Sequence, residues 1–137
     1  MKRTSLGVLL TGLVLLVALG CRHGPIVDFT DEKIPAVVGE GRTLGQVTNG
    51  IMSAGTNLGW SMKLENPGNI FGKLWLRGHM VAVDIPYSTT TYSILYTDSA
   101  NLHYNPESKT GHTNISGWMR NLHLAIQREF AGAAWKY

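Results

Sequence analysis

The stretch NIFGKLWLRGHMVAVDIPYSTTTYSILYT, residues 69–97, decides the fold. Apolar and polar residues alternate along three parts of it, which predicts strands over residues 70–77, 79–87 and 91–97. Gly78 permits a tight turn between the first two strands, and a short polar link joins the last two. Strands joined so closely pair antiparallel, so this stretch predicts a β-meander.

The sequence on either side of the meander supplies a further strand and two helices. Residues 60–65 alternate in the same way and predict a fourth strand. Thr43 is a suitable N-cap for a helix that ends near Gly59, and Thr113 or Asn114 is suitable for a second helix. Both helices carry apolar residues at spacings of three and four. The order helix, about four strands, helix predicts an α+β two-layer sandwich with both helices on one face of an antiparallel sheet.

The N-terminus has the features of an export signal. Lys2 and Arg3 precede an apolar run of about 14 residues, which suits a signal sequence and is too short to span a membrane comfortably. The run ends at Cys21, the sole cysteine, and resembles a bacterial lipobox, although Ala18 and Leu19 depart from its commonest residues. This resemblance implies a signal peptide over residues 1–20 and a Cys21 carrying diacylglycerol and a palmitate-type chain. The alternative is an unpaired thiol after an ordinary signal, which is unusual in an oxidising compartment.

Residues 21–42 predict a tether between the lipid and a domain over residues 43–137. The segment lacks sustained periodicity and contains Pro25 and Pro35. Its apolar part, residues 34–38, is alternatively an added edge strand. The chain has 12 Lys and Arg against 9 Asp and Glu, and removal of Lys2 and Arg3 leaves 10 against 9. No basic block remains, so nucleic acid is not an expected partner.

Several motifs resemble those of small uncharacterised bacterial lipoproteins. They are Gly59-Trp60, RGHMVAVDIPY over residues 77–87, YSILYTDSANLHY over residues 92–104, and His112 with Trp118. The resemblance covers about half of the chain, with Ile115-Ser116 standing where that group has Tyr-Asn. It implies a compact α+β periplasmic domain in the cell envelope. Arg22 after the cysteine is not the aspartate typical of inner-membrane retention, so this resemblance favours the periplasmic face of the outer membrane.

Our first functional hypothesis concerns the sheet face that the helices leave uncovered. Phe71, Lys73, Trp75 and Arg77 alternate on that face of the predicted second strand. Aromatic side chains among basic ones are enriched at binding surfaces. We therefore expect a non-enzymatic domain that binds another envelope protein there. The alternative is that the tether or a loop shields this face.

Two further hypotheses place function elsewhere. His79, His103, Tyr104 and His112 predict a small-ligand or metal site if the fold brings them together, although no pair has a spacing typical of a metal centre. An enzyme would use Asp84 and the polar cluster at residues 99–104. The chain has no nucleophile elbow or phosphate-binding glycine loop, so we expect neither an enzyme nor a cofactor. His123, off the apolar stripe, predicts a solvated helix flank.

Overall fold

The computed structural model describes residues 22–36, 39 and 41–134. The predicted signal peptide and Cys21 lie outside these residues. Within the described part of the chain, no helix has the length and apolar character needed to cross a membrane. The elements are β1 (His23–Pro25), β2 (Phe29–Lys33), α1 (Leu44–Asn57), β3 (Ser61–Asn66), β4 (Asn69–Leu76), β5 (His79–Pro86), β6 (Thr91–Ala100), β7 (Thr110–His112) and α2 (Asn114–Ala134).

The predicted α+β class is confirmed. Five antiparallel strands form one sheet in the order β2-β6-β5-β4-β3, and β1 pairs with β7 in a separate two-stranded sheet. The predicted meander is the run from β3 to β6, and both helices lie on one side of the five-stranded sheet. The described residues form seven strands where the sequence predicted about four, because β1, β2 and β7 are too short to show a period.

The prediction of a tether over residues 21–42 is wrong for residues 22–36, which belong to the domain. β2 pairs antiparallel with β6, with Phe29 opposite Ile94. Ile34 is 7% exposed, and its N–H donates to the carbonyl of Thr90 at 2.8 Å. The folded domain therefore begins before residue 43. An added edge strand does exist, but it spans Phe29–Lys33, and the described part of the predicted segment, residues 34–36, is not in a strand.

The first helix begins where the sequence predicts. The Thr43 hydroxyl accepts a hydrogen bond from the Gln46 N–H at 3.2 Å, and the Gln46 side chain accepts one from the Thr43 N–H at 2.8 Å. This reciprocal capping box satisfies two of the N–H groups left free at the helix start. Gly50 and Gly55 inside α1 lie against the side chains of Phe130 and Met62. Glycine destabilises a helix through its conformational entropy, and this close packing against Phe130 and Met62 offsets that cost.

The hydrophobic core lies between the helices and one face of the sheet. The sheet contributes the alternate residues of β4 and β5 that the sequence placed on one face. Ile70, Val81, Val83 and Ile85 are fully buried there. α2 contributes Ile115, Met119, Leu122, Ile126 and Phe130. The opposite face of the sheet carries the residues in between, and the described helices do not cover it.

Candidate binding surfaces

The open sheet face is formed by the outward residues of β3 to β6. Phe71, Lys73 and Trp75 follow one another along β4, and the register places Lys73 opposite Ala82 and Trp75 opposite Met80. Trp75 is 60% exposed, the largest exposed fraction among the large hydrophobic side chains described. The Lys73 ammonium lies 5.7 Å from the centroid of the Phe71 ring, within the range of a cation–π contact. The face thus presents an exposed aromatic ring beside a cation.

Arg77 does not belong to this row. It lies with Gly78 in the turn between β4 and β5, and both residues have positive φ, at 51° and 78°. Two central residues with positive φ are typical of a type I′ hairpin turn, whose twist matches that of the strands. The predicted strand ended one residue too late, so Arg77 projects from the tip of the hairpin, exposed, beside the face formed by Phe71, Lys73 and Trp75.

The predicted histidine centre is not formed by the described residues. His79 Nδ1 lies 3.0 Å from the Arg77 carbonyl oxygen, and His112 Nδ1 accepts a hydrogen bond from the Asn114 N–H at 3.1 Å. His112 therefore fixes the start of α2. Among residues 22–36, 39 and 41–134, no three His, Cys, Asp or Glu side chains are arranged to hold a metal ion.

Two histidines make contacts that the sequence did not reveal. His23 pairs in register with His112, and its Nε2 lies 3.2 Å from the His103 carbonyl oxygen. His123 is not on a solvated flank: its ring stacks on Phe29 at 4.5 Å, and its Nδ1 lies 2.9 Å from the Tyr92 hydroxyl. Burial raises the pKa of Tyr92 to about 12. The contacts of His23 and the stacking of His123 on Phe29 depend on β1 and β2, which the sequence did not predict.

The residues considered for catalysis make local structural contacts. The Ser99 hydroxyl lies 2.7 Å from the Tyr96 hydroxyl, and the Asp98 carboxylate accepts a hydrogen bond from the Ser99 N–H at 2.7 Å. Asp84 lies on the open face opposite Phe71 and is half-buried. Asp84 forms no ion pair with another described residue. The ion pair found in the described part of the chain joins Lys63 and Glu65.

Tyr104, the remaining predicted ligand residue, lines an open cleft of about 90 Å³. Its ring is tilted against that of Tyr96, with centroids 4.8 Å apart. Asp28 and Lys109 supply opposite charges to the walls, and Ile26 completes them. The Tyr96 N–H donates to the Asp28 carboxylate at 2.8 Å, and burial raises the pKa of the Tyr96 phenol. Asp28 lay in the predicted tether, so no signal in the sequence linked it to Tyr104.

A second, more apolar groove lies between the helices and the end of β4. Its volume is about 190 Å³. Its walls are Leu58, Trp60, Leu74, Leu76, Trp118 and Asn121. Leu58, just after α1, and Leu76, at the end of β4, are exposed at its mouth. Leu76 follows the alternation of the core residues Ile70 and Leu74, but it is 44% exposed at the end of the strand.

No model of a known protein family matches this chain, and no curated protein matches it.

Proposed function

We propose that this protein is a lipid-anchored, non-enzymatic protein of the cell envelope whose small periplasmic domain binds another envelope protein. Cys21 carries the lipid, the outer membrane is the expected location, and the open face of the sheet is the binding surface. The proposal for the anchor rests on the sequence of the first 21 residues. The proposal for the surface rests on the geometry of β4 and β5.

The single observation that carries the binding surface is the exposure of Trp75 on a sheet face that the described helices leave open. A tryptophan buries a large area when a partner covers it, which is why tryptophans are enriched among the residues that dominate binding energy. Met80 and Ala82, beside Trp75 and Lys73, are already nearly buried by their neighbours. They offer almost no area of their own, so a partner's contacts fall on Trp75 and on the half-buried Phe71 and Lys73.

The charged side chains near Trp75 favour recognition of a particular partner. Lys63 is already paired with Glu65 at 2.8 Å, whereas among the described residues the Lys73 ammonium has no ion pair and contacts the Phe71 ring. A carboxylate on the partner would satisfy Lys73 and exclude partners that present a cation at that point. We therefore expect a partner surface that combines an apolar centre with an acidic residue.

The test is photo-crosslinking in cells, with a photoreactive amino acid replacing Lys73. We expect a discrete adduct with one envelope protein, because Lys73 lies in the middle of the proposed surface. The matched control replaces Asn49, an exposed residue of α1 on the opposite side of the domain. The Asn49 position should give no such adduct.

A Cys21→Ala form separates the anchor from the surface. Loss of the Lys73 adduct in this form is expected, because the domain no longer resides at the membrane of its partner. An adduct that persists at full yield would contradict the role of the anchor. The absence of any adduct from a stable, correctly located protein would contradict the sheet-face surface.

A second candidate function, a small-ligand module, is favoured by one observation. The cleft between Tyr96 and Tyr104 combines two aromatic rings with Asp28 and Lys109. Aromatic walls with a few convergent polar groups are typical of small-molecule sites. Such a site takes a small ligand that bears both a cationic or donor group and an anionic group. It does not use the three predicted histidines.

A further inference from the structure

The chain is fixed to the domain from the first residue after Cys21. The Thr113 N–H donates to the Arg22 carbonyl oxygen at 2.9 Å, and His23 lies opposite His112 in the strand pair that follows. The Ser116 hydroxyl donates a hydrogen bond to the Pro25 carbonyl oxygen at 3.0 Å. Arg22, the residue that follows the proposed lipidation site in the sequence, is therefore part of the folded surface.

Several elements are joined by hydrogen bonds on the side of the domain where Arg22 pairs with Thr113. The Asn101 side chain donates to the Gly78 carbonyl at 2.7 Å, which joins the end of β6 to the β4–β5 turn. The His112 N–H donates to the Leu102 carbonyl at 2.8 Å, which joins β7 to the same segment. The groove between Leu58, Leu76 and Trp118 brings the end of α1 and the first turns of α2 to this side. We call this side, from Arg22 across the β4–β5 turn to Leu58, the anchor end.

The anchor end is apolar and basic. Leu58 is 43% exposed and Leu76 is 44% exposed, and between them opens the groove described above. Arg77 follows Leu76 in the chain and is exposed, and Arg22 is exposed as well. None of residues 58–60, 74–79 and 100–103 is acidic. Exposed leucines and arginines match the boundary between acyl chains and anionic headgroups of a bilayer.

We infer that the domain rests directly on the lipid surface through its anchor end. Leu58 and Leu76 enter the boundary between headgroups and acyl chains, and Arg77 lies among the phosphates. This inference rests on the proposed lipidation of Cys21, because the lipid is what brings this end to the bilayer. The occupant is the lipid surface and not a second protein, since the acyl chains must enter the bilayer about one residue away from Arg22. The strands run away from this end, so the open sheet face meets its partner close to the membrane.

The test measures contact between lipid acyl chains and single positions of the full, processed chain. Cys21 is the sole native cysteine, so a lipidated Leu76→Cys protein has one free thiol for a fluorescent label. The protein is reconstituted in vesicles of phosphatidylethanolamine and phosphatidylglycerol that contain lipids with a nitroxide on the acyl chain. Leu58→Cys is the second test position. Leu124→Cys is the matched control. Leu124 is 40% exposed, close to the exposure of the test positions, but it lies ten residues beyond the start of α2, about 15 Å along the helix and away from the anchor end.

We expect most of the fluorescence to be lost at positions 58 and 76 and none at position 124. Equal fluorescence at all three positions, in a protein whose mass shows the acyl chains on Cys21, would overturn the inference while leaving the anchor intact. Quenching at position 124 alone would place another side of the domain on the membrane and would also overturn it. A measured mass that shows an unmodified Cys21 would contradict the proposed anchor and also the inference that the domain rests on the lipid surface.

Discussion

Replacing Gly50 by alanine tests the packing of the two helices, on which the open sheet face depends for its support. An added Cβ at Gly50 would lie 2.5 Å from Cε1 and 2.6 Å from Cζ of Phe130. Carbon atoms pack best at about 3.5–4.0 Å, so the ring would have to move by about 1 Å. Phe130 is not free to move, because the Arg42 guanidinium lies 4.8 Å from its centroid and the ring belongs to the core.

The expected free-energy change is the difference between two opposing effects. Alanine in place of glycine inside a helix stabilises by up to about 1 kcal/mol. Overpacking a close-packed contact of this kind costs about 1–3 kcal/mol. We therefore expect Gly50→Ala to lower the free energy of unfolding by about 1 kcal/mol. The measurement is urea denaturation of the chain from residue 22 onwards, followed by far-ultraviolet circular dichroism.

Gly117→Ala is the matched control for Gly50→Ala. Gly117 also lies inside a helix, but a Cβ there would have no atom within 4 Å apart from its chain neighbours and the backbone of its own helix. This variant should be more stable than the parent protein by up to about 1 kcal/mol. Phe130→Leu should reduce the penalty of Gly50→Ala when the two are combined, because the smaller side chain leaves room for the Cβ. A Gly50→Ala protein as stable as Gly117→Ala would refute the contact between Gly50 and Phe130.

Two further predictions concern the tyrosines. Burial raises the pKa of Tyr92 from its ordinary 10.0 to about 12, so the folded protein keeps this phenolic proton between those values while the unfolded chain loses it. The contribution of Tyr92 to the free energy of unfolding should therefore be constant below pH 10 and should be lost as the pH rises from 10 to 12. Tyr92→Phe should show a shallower fall in the free energy of unfolding over this range in the same urea measurements. An identical fall in the two proteins would contradict the raised pKa of Tyr92. In the cleft, free amino acids or disaccharides that bind should change the NMR shifts of Asp28 and Lys109, and Tyr104→Ala should abolish these changes. Cross-linking from position 73 should be the same in this variant as in the parent protein. Shift changes that persist in Tyr104→Ala would place the ligand elsewhere.

The sequence alone predicted the elements whose signals are local. The alternation in residues 69–97 predicted three strands because successive side chains of a strand point to opposite faces. Thr43 predicted the start of α1 because its hydroxyl is within reach of the Gln46 N–H, as the structure confirms. The uncovered face with Phe71, Lys73 and Trp75 followed from the same alternation. Each of these features depends on residues a few positions apart.

Tertiary structure decided everything that depends on distant pairing. β1 and β2 show no period of their own, and they are ordered by contacts such as that of Asp28 with the Tyr96 N–H, 68 residues away. Those contacts turned the predicted tether into part of the domain and placed Phe29 against the ring of His123. The hydrogen bond from the Thr113 N–H fixed Arg22 to the folded domain in the same way. A short, aperiodic segment has no preferred partner until a folded sheet offers an edge, so its place is determined by the assembled fold and not by its own residues.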